Sequence, residues 1–287
     1  VGDYKKAIET DKEALELARE LGNRTIEANI LGNLGIVYGM LRDFQYTIEY
    51  NQQYLEISRT INYRKGEGNA LGNLGNAYEA LGQYDRAVEY QKQHLELARE
   101  LGDRRGEGNA LGNLGNAYES LRDYERAITY HQQHLAISQE IGNRRGEGNA
   151  LNNLGCVYEV LGNYEKACNY YEKLLAISRE VSNKGVESIA LNNLGVVLIK
   201  WGNFSAGIEY CEAALTIFRA TDNHITAAES LKNLAKIFQS LCYFELALDY
   251  CDRALSIATV LEIPLAEECK TLRQELCFQV KRKGKDR

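Results

Sequence analysis

A single proline, one methionine, one tryptophan and four histidines occur in 287 residues. The histidines are scattered and the seven cysteines, all between Cys156 and Cys277, form no CxxC pair, so the clustered ligands of a zinc site are missing. Reduced, buried thiols of a cytosolic protein are the expectation for them. No apolar run approaches the ~20 residues that cross a bilayer, and no signal-peptide pattern opens the chain. A formal charge of −6 lacks the basic excess of a nucleic-acid binder. What remains is an ordinary soluble composition, 45% hydrophobic and 26% charged, with tyrosine outnumbering phenylalanine 19 to 6. Val1 stands where Met would, and Val1-Gly2-Asp3-Tyr4 begins inside a pattern. The chain is therefore expected to be an excerpt of a longer protein, with any catalytic domain outside it.

Glycine is plentiful and it recurs. "GEGNALGNLGNAYEALG" at 66–82 returns as "GEGNALGNLGNAYESLR" at 106–122 and "GEGNALNNLGCVYEVLG" at 146–162, with fainter copies at 25–42, 186–202 and 226–242. A dinucleotide loop occurs once, between a buried strand and a helix, and no strand pattern precedes any copy. A repeat near 40 residues signals stacked helical pairs instead. Leu111, Leu114, Gly115, Tyr118 and Leu121 share one helical face, and Tyr124, Ala127, Ile128, Leu135, Ser138 and Ile141 keep helical spacing after a turn at Arg122-Asp123. Gly142 reads as a helix stop and Asn143 as the next N-cap. Each unit is two helices of roughly 17 residues that must stack to bury their apolar faces. Gly75, Gly115, Gly155 and Gly195 sit on the packing face, whereas Gly72 and Gly112 lie opposite it and are expected to leave room for a ligand.

The motif Leu74-Gly75, Tyr78, Tyr84, Ala87 and Tyr90, repeated 40 and 80 residues on, resembles the tetratricopeptide repeat. The unit is longer than the family's usual 34 residues and lacks its junction proline. "HLELARELGDR" (94–104) and "HLAISQEIGNR" (134–144) look like the repeats of LGN/Pins-type scaffolds and, less closely, of kinesin light chain. The resemblance implies an all-α, right-handed solenoid of antiparallel helix pairs with a C-terminal capping helix. Its expected divisions are a lone second helix at 1–22, repeats at 23–62, 63–102, 103–142, 143–182, 183–222 and 223–262, a capping helix at 263–282 starting near Pro264, and a basic tail at 283–287.

Opposite the leucines runs a polar stripe: Asn69, Asn73 and Asn76, then Asn109, Asn113 and Asn116, then Asn149, Asn152 and Asn153. One column persists through all six pairs as Asn33, Asn73, Asn113, Asn153, Asn193 and Asn233, with Asn192 beside it. Asparagine is a middling-to-poor helix former, and its amide both donates and accepts. Either it holds the main chain of an extended ligand, as the resemblance implies, or it bonds the adjacent repeat; the two can coexist. Lys65, Arg105 and Arg145 extend the stripe. Lys232, Asn233 and Lys236, near Lys200, resemble part of the family's carboxylate clamp. Glu79, Glu119, Glu159 and Glu229 counter them, so a ligand with scattered acidic residues is expected. His94 and His134 stand where Ala14, Tyr54, Leu174, Ala214 and Ala254 stand elsewhere, which points to packing, as does the tyrosine column from Tyr50 to Tyr250.

The expectation is a non-catalytic, cytoplasmic interaction scaffold without cofactor or metal, binding a protein or peptide and neither nucleic acid nor membrane. Oligomeric state is not written in the sequence, and a monomer is the simplest case. The rival is a sensor or regulatory arm of a larger signalling protein whose ATPase, protease or transcription effector lies outside these residues. A self-associating scaffold is the third.

Overall fold

The computed structural model describes residues 2–283, with side chains from 4 to 282. All regular structure in it is helical: α1 (Gly2–Glu20), α2 (Arg24–Met40), α3 (Phe44–Thr60), α4 (Arg64–Ala80), α5 (Tyr84–Glu100), α6 (Arg104–Ser120), α7 (Tyr124–Glu140), α8 (Arg144–Val160), α9 (Tyr164–Glu180), α10 (Lys184–Trp201), α11 (Phe204–Ala220), α12 (His224–Ser240), α13 (Phe244–Val260) and α14 (Leu265–Lys283). Val1 and the end of the expected tail, residues 284–287, lie outside the described residues. The chain divides into two compact units, 1–157 and 158–287, each a stack of antiparallel helix pairs.

The helix ends follow from short-range chemistry. Asn23, Asp43, Asp103, Asp123 and Asn143 each accept a bond from the backbone N–H three residues on, as do Asn163, Asn183, Asn203 and Asn223. Each such cap contributes about 1 kcal/mol. At the other ends a residue turns left-handed and the next N–H reaches back, as Gln83 N does to Tyr78 O at 2.9 Å. Glycine takes that position at 22, 82, 102, 142, 162 and 202, but Arg42, Asn62, Arg122, Ser182, Asp222, Cys242 and Glu262 take it elsewhere, with φ of 52–62°.

Within unit 1 the helix pairs close over Leu31, Leu34, Leu71, Leu74, Leu111 and Leu114, all essentially without solvent exposure. Burial of each contributes roughly 1.5–3 kcal/mol. First helices also touch one another, α2 with α4 and α4 with α6, so their outer faces form a continuous surface. Stacked tyrosine pairs, Tyr78 on Tyr90 and Tyr118 on Tyr130, have ring centroids 5.3 and 5.4 Å apart, and the expected packing role of the column holds there. In unit 2, α10 and α11 approach so closely at Gly195 and Gly207 that a Cβ on either would lie 2.7 Å from the other's carbonyl oxygen. α14 packs on α13 through Leu265, Cys269, Leu272 and Leu276.

Candidate functional site: an asparagine-lined cleft

The exposed face of α4, α6 and the start of α8 encloses a cleft of ≈ 470 Å³ in unit 1. Asn69, Asn73, Asn76, Asn109, Asn113, Asn116, Asn149 and Asn153 line it, together with Arg105 and Arg145. Asn33 and Asn152 do not. Asn192, Asn193, Asn233, Lys232 and Lys236 belong to unit 2, on α10 and α12.

The column asparagines bond from repeat to repeat. Asn73 Nδ2 donates to Asn51 Oδ1 on α3 at 3.0 Å; Asn113 Nδ2 donates to Asn76 Oδ1 and Asn153 Nδ2 to Asn116 Oδ1, each at 2.9 Å. Gln91 Nε2 adds a bond to Asn76 Oδ1 at 2.9 Å. So the amides tie neighbouring first helices together. Among the described residues this leaves Oδ1 of Asn113 and Asn153, and Nδ2 of Asn76 and Asn116, without a protein partner. With Asn73 Oδ1, also unbonded, α4 and α6 each offer one acceptor and one donor, the complement of a peptide unit. α8 has Cys156 at the donor register and offers Asn153 Oδ1.

Gly72 and Gly112 line the cleft beside His94 and His134. Both are buried, and a Cβ on them would lie 3.1 and 2.9 Å from the Nδ1 atoms of His94 and His134. The imidazoles fill the space the glycines vacate, which fits the expected packing role of these histidines. The sequence holds the same trade: Gly32, Gly72 and Gly112 face Tyr54, His94 and His134, while the larger Asn152, Asn192 and Lys232 stand in the repeats with Leu174, Ala214 and Ala254. Read as residue-by-residue volumes, those two columns would have revealed the contact.

Charge divides along the cleft. Arg105 and Arg145, exposed near the starts of their helices, make no ion pair among the described residues. Glu79 lies toward the helix C-termini, where burial and then the nearby Glu119 carboxylate push its pKa up; burial does the same to Glu119. In unit 2, Lys232 already has an acidic partner: its ammonium donates to the exposed Glu268 of α14 at 2.7 Å. Lys200 likewise pairs with Glu159 at 2.6 Å. The terminal helix thus supplies the acid expected of a ligand.

A row of buried carboxylates escaped the sequence reading. Glu27, Glu67, Glu107, Glu147 and Glu187 are each clamped from two sides. Glu107 accepts from Arg99 Nε at 2.8 Å and from Arg104 Nη1, and Glu147 accepts from Gln139 and Arg144. Burial alone would raise the pKa of Glu107, but its two arginine bonds outweigh burial and hold it below the ordinary carboxylate range. The available signal was a basic residue three positions before each glutamate and a second donor eight before. Beneath the cleft, His131 is fully buried on Gly115, its Nε2 4.0 Å from Glu119 Oε2 and neither nitrogen hydrogen-bonded.

None of the seven cysteines is in a disulfide among the described residues, though Cys242 is exposed and Cys156 and Cys277 half-buried, against the expectation of burial. Burial raises Cys211 to about 12 and Cys168 to about 11. No group of three metal-ligating side chains occurs among the described residues, and no described helix is long and apolar enough to cross a membrane.

Helix pairs on a 40-residue period, with Leu-Gly-xx-Tyr on their packing face, define a helical-repeat solenoid of the protein-interaction class. Tetratricopeptide repeats match residues 1–60, 66–140, 146–206 and 186–259, and the chain belongs to the tetratricopeptide repeat family. Comparison with curated proteins found no match. Among solved structures, the chain is similar to a signal transduction ATPase with a tetratricopeptide repeat sensor from Pyrococcus horikoshii, at 19% identity and TM-score 0.74, over 93% of this chain and 41% of that one. A Rap protein complexed with competence and sporulation factor aligns at 20% identity and TM-score 0.66, over 91% and 72%. Putative kinesin light chain repeats from Podosopora anserina align at 18% and 0.59, over 67% and 95%. At these identities the likeness is one of fold.

Proposed function

We propose that this chain is a non-catalytic scaffold that holds an extended segment of a partner protein in the asparagine-lined cleft. What carries the reading is the pair of amide groups, one acceptor and one donor on each of α4 and α6, left over after the repeat-to-repeat bonds. Neighbouring first helices lie about 10 Å apart and an extended chain rises ~3.3 Å per residue. Each repeat would meet about three ligand residues, and α4, α6 and α8 together about nine or ten. Main-chain bonds give affinity without much selectivity, which the flanking Arg105 and Arg145 would add for an acidic ligand. Free thiols fit a reducing compartment such as the cytoplasm.

The test is affinity capture from native lysate with mass spectrometry, comparing wild type with two variants of equal helicity. Asn109→Ala/Asn149→Ala removes exposed cleft amides outside the repeat-to-repeat bonds, and Asn73→Ala/Asn113→Ala/Asn153→Ala removes the bonded column. A partner kept by wild type and lost by both supports the cleft. A partner kept by the first variant makes the asparagines structural and sinks the reading.

A second reading is that the solenoid is the sensing arm of a larger signalling protein. The Pyrococcus horikoshii ATPase, which carries such a sensor, favours it. A nucleotide-binding or protease domain flanking these residues in the full gene would decide for it.

A further inference from the structure

Unit 1 has a second hollow, and its chemistry bears on what the cleft would bind. Ile36, Gly39 and Met40 of α2, Phe44 of α3, and Asn73 and Asn76 of α4 border ≈ 330 Å³, about twice the ~150 Å³ cavity that admits a benzene ring. Asn73 and Asn76 also line the asparagine cleft, so the two spaces share a wall.

The hollow exists because three positions of α2 differ from those 40 and 80 residues later. Ile36 stands where α4 and α6 have Asn76 and Asn116, and Met40 where they have Ala80 and Ser120. Gly39 stands where they carry Glu79 and Glu119. That glycine is not forced by crowding, since a Cβ there would meet only Thr47, at 3.6 Å. Its effect is to remove a carboxylate and open the floor. Ile36 and Met40 remain 47% and 61% exposed, two large apolar side chains on a face that is amide-lined in the next two repeats. Exposed apolar area beside a polar groove is the mark of a subsite for an apolar side chain. At the far side of the cleft Arg105 and Arg145 have no carboxylate of their own, and charge complementarity there calls for an acid.

Resting on the reading of the cleft as a peptide site, we propose that the ligand is bipartite. A bulky apolar side chain seats among Ile36, Met40 and Phe44, and an Asp or Glu about eight to ten residues away meets Arg105 or Arg145. The spacing follows from two helix steps to Arg105 or three to Arg145, of about 10 Å each, and an offset of eleven residues along the helix axis, ~16 Å. These give diagonals of about 26 and 34 Å at ~3.3 Å per residue.

The experiment is selection of phage-displayed random 16-residue peptides on the full chain, followed by affinity measurement on the synthetic winners. Ile36→Asn/Gly39→Glu/Met40→Ala puts the α4 residues into α2 at their own register, and Arg105→Glu/Arg145→Glu reverses the charge. Circular dichroism checks both, with the exposed-site Met40→Gln in reserve if the triple variant unfolds. Expected winners carry the apolar–acidic pair at that spacing. They should bind the triple variant about ten- to hundredfold more weakly, the loss of one buried apolar side chain. The charge variant should select Lys or Arg in place of the acid. Winners without the pair, or with affinity unchanged in both variants yet lost in Asn109→Ala/Asn149→Ala, overturn the bipartite ligand and leave the cleft standing. Failure of wild type to select any peptide overturns both.

Discussion

Replacing His131 by glutamine should stabilise the chain, and more so as the solution is acidified. His131 is fully buried with two unbonded ring nitrogens, and burial, with the nearby His134, lowers its pKa from 6.5 to about 4. Gln91 occupies the same register one repeat earlier, where its Nε2 reaches Gly72 O at 3.1 Å and Asn76 Oδ1 at 2.9 Å. A glutamine at 131 has Gly112 O and Asn116 Oδ1 in equivalent places. Gln91 Oε1 is buried and unbonded, so a glutamine at 131 exchanges two unbonded nitrogens for one unbonded oxygen. The satisfied donor contributes about 1 kcal/mol at pH 7.5. The pH dependence comes from the histidine. Its folded pKa lies below the unfolded value, so between pH 4 and 6.5 the unfolded chain binds more protons and stability falls with falling pH. From pH 7.5 to 5.0 that linkage removes about 2 kcal/mol from wild type and nothing from the variant. His94, also lowered by burial, titrates in both proteins and cancels, and His134 differs between them only by its smaller charge coupling to His131. Urea unfolding at the two pH values, followed by circular dichroism, reads the difference as a widening gap in midpoints. An equal gap at both would show that His131 titrates like an exposed imidazole and that its burial is wrongly described.

Glu107→Gln keeps the shape but weakens two charge-assisted bonds inside a covered site. With the arginines half-exposed, the expected loss is about 1–3 kcal/mol, read as a lower urea midpoint at pH 7. The lowered pKa of Glu107 gives stability that is present above ordinary carboxylate values and lost as pH falls through the folded pKa. Midpoints of variant and wild type should therefore converge toward pH 3, and a constant difference would argue against the clamp. Arg122→Gly relieves a left-handed residue, φ 60°, and should raise the thermal midpoint by an amount corresponding to about 0.5–1 kcal/mol. A fall would mean that the Arg122 side chain does something its backbone does not reveal.

Sequence by itself determined the helices and their period. Caps and left-handed turns are made by residues within five positions of each other, so Asp103, Asn143 and Gly142 announce their helix ends whatever surrounds them. The leucine and glycine positions likewise repeat on one helical face, which is enough to demand stacking. It also placed the asparagines on a common stripe and offered two uses for them, and the repeat-to-repeat use is present in unit 1. Tertiary structure decided the rest. Asn113 meets Asn76 across 37 residues and Gly112 meets His134 across 22, through the tilt and spacing of packed helices rather than any local preference. A period says which residues are equivalent, but not which of them touch. Hence the period showed neither that His94 and His134 pack against Gly72 and Gly112 nor that Glu268 of the terminal helix pairs with Lys232. The apolar hollow at Ile36, Gly39 and Met40 was invisible for the same reason: its walls come from three helices, and only their packing brings those side chains around one space.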